Sequence, residues 1–184
     1  MATVEQMGNG YLFKISNYEE LLRETSHSIL FLDSSDYNCG GFALGTFEWY
    51  VPSSYGNVWD DNLTTEQLEV QDIRSDFYYN KLFHRDACDK IADYFIKSMC
   101  NDLIGIREIK FESELKSNEY LVAFKASIED FHYARKLSNG RWFHKMGCEE
   151  IEEIDEWQVY SDKWWSNMHC QYGGKLRLLA VQYK

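Results

Sequence analysis

The chain has almost no proline. Pro52 is the single one in 184 residues, and no glycine- or serine-rich tract stands in for it. A linker between two domains therefore has no material to form from, and residues 1–184 are read as one domain. Paired cysteines are also missing: the five cysteines, Cys39, Cys88, Cys100, Cys148 and Cys170, form no Cys-x-x-Cys motif. An odd, scattered set argues against a zinc knuckle and a disulfide framework, so neither a metal nor a cofactor is expected and the thiols are read as reduced. Positive charge is scarce, with 19 Lys and Arg against 30 Asp and Glu and a net charge of −11. Without a basic surface to release counterions, nucleic acid is excluded as a partner. No apolar run approaches the ~18 residues of a membrane span. No basic flank precedes an apolar block at the start, so no secretory signal is read and a cytoplasmic location is expected, unless another route releases the protein.

What is present in quantity is aromatic and apolar residues, 16% and 45% of the chain, enough for a substantial core. Their pattern is most informative from Asp130 to Gly147. Asn139-Gly140 is a strong β-hairpin signal, with alternating residues on both sides. Each arm carries one histidine, His132 and His144, 12 residues apart. Folding at the turn with opposed residues summing to about 279 sets His144 opposite position 135 and makes the histidines near neighbours. Their even numbering is expected to put both on one sheet face.

A possible partner lies far upstream. Asp33 to Asn38 is a loop of turn formers that delivers Cys39, followed by Gly40, Gly41 and Phe42. Phe42, Leu44, Phe47, Tyr50 and Val51 recur at near-helical spacing and predict a helix over about 39–50, capped by Asn38 or Asp36. A cysteine at a helix start meets unpaired amides and a dipole that favour the thiolate. Gly40 and Gly41 leave room for a substrate backbone, or equally for close packing around a structural cysteine.

Elsewhere, short elements are predicted at Tyr11–Ile15, from Ser16 to about Glu24, and at Ser28–Leu32. Residues 53–105 read as a helical insertion, with an aromatic rim at Trp59, Tyr78 and Tyr79, a short helix starting at Thr64-Thr65 and a long one over 84–103. Strands are predicted at Ile106–Phe111 and Tyr120–Phe124, and closing strands at Trp157–Tyr160 and Lys175–Tyr183. The acidic run from Glu149 to Glu156 reads as the solvated face of a short helix. His169 and Cys170 are assigned no chemistry.

This order, a cysteine opening a helix, then a buried strand, then a histidine strand with a tight turn and a second polar residue, resembles the papain-like cysteine peptidases, in particular their NlpC-type branch. The matching pieces are Asn38 to Phe42, Leu115 to Phe124, His132, Asn139-Gly140 and His144, spanning about residues 36–147. Gly40 stands where that branch usually has serine, and Ser117-Asn118-Glu119 where it has proline-glycine-aspartate. The resemblance implies an α+β fold in which a central helix starting at the nucleophilic cysteine packs on an antiparallel sheet. It also implies a Cys39–His132–His144 triad that cleaves an amide in a peptide or peptidoglycan-like substrate. Cys39 would attack, His132 would act as base and His144 would orient it, with Asp155 the alternative orienter. The amides of Cys39 and Tyr37 would stabilise the oxyanion. An acyltransferase would use the same residues. A different class, a non-catalytic acidic module of inhibitor or immunity type, would leave Cys39 no more reactive than the other thiols.

Overall fold

Residues 84–102 carry apolar side chains at spacings of three and four, and in the computed structural model, which describes residues 35–56 and 61–183, they form the longest helix. The described residues give, in order, α1 (Cys39–Ala43), α2 (Thr65–Tyr78), α3 (His84–Asp102), β1 (Ile106–Ile109), a 3-10 turn (Glu112–Glu114), β2 (Glu119–Ala126), β3 (Phe131–Lys136), β4 (Trp142–Lys145), β5 (Ile151–Ile154), α4 (Glu156–Val159), α5 (Asp162–Ser166) and β6 (Arg177–Gln182). The elements expected before Asp33, and Trp59, lie outside the described residues.

The six strands form one antiparallel sheet in the order β1-β6-β2-β3-β4-β5, so the fold is α+β. Both faces are covered. Val122, Phe124, Tyr133, Leu179 and Val181 pack with Ala87, Ile91, Phe95 and Met99 of α3. On the other face, Leu121, Ala123, Ala134, Trp142 and Ala180 meet Val159, Trp165 and Tyr172. Coverage on both sides explains why β2 is apolar at nearly every position instead of alternating. Burying residues such as Phe95 and Trp165 contributes about 2–3 kcal/mol each.

Four local expectations are corrected. The helix from Cys39 ends at Ala43 rather than near 50. Gly45 (φ +67°) and Phe47 (φ +52°) take left-handed backbone, and the amides of Thr46 and Phe47 both donate to the Gly41 carbonyl. The chain thus doubles back, and the Asn38 side chain binds the Tyr50 backbone in both directions. The acidic run forms the edge strand β5, in which Ile151 and Ile154 are buried against β4. Trp157–Tyr160 is not a strand but the helical turn α4. Finally, the hairpin register is one residue tighter than expected: Ala134 opposes His144 and Lys136 opposes Trp142, a sum of 278. This difference decides the site, because an odd sum would have put the two histidines on opposite faces.

Candidate active site

His132 and His144 project from β3 and β4 onto the sheet face covered by α5. Their Nε2 and Nδ1 atoms are 3.0 Å apart, and both rings are buried. His144 lies directly opposite Ala134 on one side and Glu152 on the other, so Glu152, His144 and Ala134 form a row across three strands, with His132 on the diagonal. Glu152 Oε2 is 3.6 Å from His144 Nε2. That carboxylate favours a proton on His144 Nε2, which leaves Nδ1 as an acceptor. His132 must then donate through Nε2–H, and its own Nδ1 carries a lone pair. Nδ1 makes no hydrogen bond to any described residue. Thus Glu152, one of a run of acidic residues, favours one tautomer of each ring.

Aromatic rings hold the pair in place. Tyr172 stacks on His132 (centroids 5.5 Å apart, planes at 28°), Trp165 meets it edge-on, and Trp164 covers His144. Burial lowers the His132 pKa well below its ordinary value, and the His144 charge adds to this. Burial also lowers His144, opposed by Glu152. Both imidazoles are therefore neutral at neutral pH. Asp155, the alternative orienter, is used elsewhere: it caps α4 and accepts from Trp157 Nε1.

Cys39 reaches the same place from the other side of β3. It belongs to the cluster on the α3 face, at the start of α1, with Asn38 as the N-cap: Asn38 Oδ1 accepts from the Gly41 amide at 2.9 Å. Because β4 ends at Lys145, the edge of β3 beside residues 131–133 is left without a strand partner, and α1 abuts it there. The Cys39 thiol donates weakly to the Phe131 carbonyl, 3.8 Å away. It makes no hydrogen bond to either histidine. Burial, reinforced by the nearby Asp130 charge, pushes the thiol pKa up to about 12, against smaller opposing effects from the Gly40 and Tyr133 amides and Lys145. A five-residue helix contributes too little dipole to overcome this. The resting state therefore holds a neutral thiol and neutral imidazoles, not the thiolate expected at the start of a longer helix.

Cys39 and His132 line one cavity of about 420 Å³. Its wall also includes Trp49, Val51, Tyr55 and Met146, together with Asp130, His169 and Cys170. Asp130 Oδ2 accepts from Tyr172 Oη at 2.8 Å and from Cys170 Sγ at 3.1 Å. Tyr78 and Tyr79, expected on a substrate rim, are exposed at the end of α2 and do not line this cavity. Gly40 and Gly41 do not border an open path. A Cβ on Gly41 would lie 1.9 Å from the Glu48 carbonyl oxygen, and one on Gly40 would crowd Tyr50 and Tyr133. These glycines permit the chain reversal after α1. Asp130, Glu152 and Tyr172 carried no local motif that could have singled them out; only the sheet register and the return of the 167–176 segment bring them to the histidines.

No protein-family model, no curated protein and no solved structure matches the chain.

Proposed function

We propose that the protein is a cysteine hydrolase of papain-like type that cleaves an amide in a peptide or peptidoglycan-like substrate. The observation that carries this reading is the Glu152–His144–His132 row beside a cavity that Cys39 also lines; the tautomers this row favours leave His132 Nδ1 as a free base. The reaction requires the thiol to leave the Phe131 carbonyl and turn into the cavity that His132 also lines. As Sγ bonds to the substrate carbonyl carbon, its proton passes to His132 Nδ1 and the carbonyl electrons move onto oxygen. The Cys39 amide, which bonds no described acceptor, stabilises that oxyanion. Collapse breaks the C–N bond, and the imidazolium protonates the departing amine. Water then attacks the thioester with His132 again as base, giving the carboxylic acid and the free thiol. An amine in place of water makes the same site an acyltransferase.

A second reading, a non-catalytic acidic module, is favoured by one specific observation: the resting thiol is buried and neutral and bonds a carbonyl, not an imidazole. Incubation with purified wall peptides and with a panel of unstructured proteins, read by mass spectrometry, separates the two. Cleavage that disappears in Cys39→Ala and His132→Ala supports the hydrolase. Absence of product from every substrate favours the module.

A further inference from the structure

Among the described residues, Asp130 is the one carboxylate on the cavity wall, and it is half-buried. Its two hydrogen-bond donors, Tyr172 Oη and Cys170 Sγ, are both neutral and both use Oδ2. No lysine, arginine or histidine among the described residues forms an ion pair with it, although Arg74 pairs with Glu129 next door. Oδ1 is left without a described partner. The same cavity is lined by the apolar side chains of Trp49, Val51, Tyr55 and Met146. A carboxylate set in a concave, largely apolar wall with only neutral donors has a cation as its natural complement. Holding Tyr172 in place would need only an acceptor, which an asparagine supplies equally well.

We propose that Asp130 binds the cationic group of the substrate, so that the cavity takes an acyl donor bearing an ammonium or guanidinium beside an apolar side chain. For its part in turnover this rests on the hydrolase reading; as a binding site it stands on the cavity alone. The same contact has a chemical consequence. The Asp130 charge opposes ionisation of Cys39, and a cation docked on it cancels that opposition. The substrate thereby removes the lesser of the two effects that keep the thiol protonated, and does so only once it is in place.

Two methanethiosulfonates of similar size, the cationic aminoethyl and the anionic sulfonatoethyl reagent, test the site. The Cys39 thiolate attacks the sulfenyl sulfur, forming a mixed disulfide and releasing methanesulfinate, and peptide mass spectrometry gives the rate at each cysteine. The overall negative charge favours the cationic reagent everywhere, so exposed Cys148 serves as the internal reference. The cation-to-anion rate ratio at Cys39 is expected to exceed that at Cys148 and to fall roughly tenfold in Asp130→Asn. Tyr172→Phe, which keeps the carboxylate, is expected to retain the ratio. An unchanged ratio in Asp130→Asn, or its loss in Tyr172→Phe, overturns the assignment. In the unmutated protein, lysine amide should protect Cys39 from the cationic reagent and norleucine amide should not; equal protection by both also overturns it. Charge selectivity without amide cleavage would overturn the hydrolase reading and leave this site standing.

Discussion

The resting protonation of Cys39 is set by its surroundings rather than by its place at a helix start. Desolvation is the largest influence, Asp130 adds to it, and the five-residue α1 offers little in return. Free protein should therefore alkylate more slowly at Cys39 than at exposed Cys100 and Cys148 across pH 6–8, with a Cys39 rate that climbs steadily with pH. A rate plateau at Cys39 below pH 7 would mean that a thiolate–imidazolium pair exists after all. Under turnover the ranking of the histidines follows from their hydrogen bonds. Removing the base in His132→Ala should cost about 10²–10⁴ in kcat/KM. Glu152 is mostly exposed and lies 3.6 Å from the His144 ring, so Glu152→Gln should cost less than about tenfold. A larger loss in Glu152→Gln than in His132→Ala would reverse the order of roles. The hairpin and its two histidines were legible in the sequence because Asn139-Gly140 is a local signal. Their shared face was not, since it depends on a register one residue away from the expected one. Glu152, Asp130 and Tyr172 were not, since their roles depend on which strands become neighbours.

Among the elements, α3 was the easiest to read, because its apolar stripe at three and four decides both its length and its buried face. The segment after Cys39 was misread for a reason that lies outside any local window. Asn38 accepts from the Gly41 and Tyr50 amides and donates to the Tyr50 carbonyl at 2.7 Å, tying the two ends of the reversal together. The near-helical spacing of Phe47 and Tyr50 is then incidental. Asn38→Ala should remove the cap and both links, lowering stability by about 2–3 kcal/mol in denaturant titration. Asn38→Asp retains the acceptor but sets a carboxylate oxygen against the Tyr50 carbonyl, so it should recover only part of that loss. Gly41→Ala is harsher in kind, since its Cβ would meet backbone at Glu48 rather than a movable side chain. That variant should either fail to fold or displace the 44–50 segment, seen as a loss of near-UV signal. A fully native Gly41→Ala would show that the reversal yields easily. The acidic strand β5 was hidden for a different reason. As an edge strand it needs only Ile151 and Ile154 inward, and its glutamates look alike on a solvated helix and on an open strand edge.

At the scale of the whole molecule, two effects of acid oppose each other. With a net charge of −11, protonation relieves self-repulsion as the pH falls from 8. Against this, His132 is held neutral by burial in the middle of the fold. Its folded pKa is depressed, so below its unfolded value, near 6.5, the unfolded chain binds a proton that the native site refuses. The stability it contributes is complete above about pH 6.5 and is lost progressively as the pH falls toward its folded value, by up to ~1.4 kcal/mol per pH unit for one proton. Relief of surface repulsion is spread over many screened charges, whereas this term is concentrated in one buried ring, so the histidine should dominate between pH 6.5 and 5. Urea titrations from pH 8 to 5 should show the unmodified chain losing stability below pH 6.5, whereas His132→Gln, unable to titrate there, loses much less. Raising the salt concentration should weaken the surface term and leave the difference between the two proteins intact. Parallel curves for the two proteins would mean that the ring admits its proton without opening the fold, and that the pair is wetter than its packing against Tyr172 and Trp165 implies.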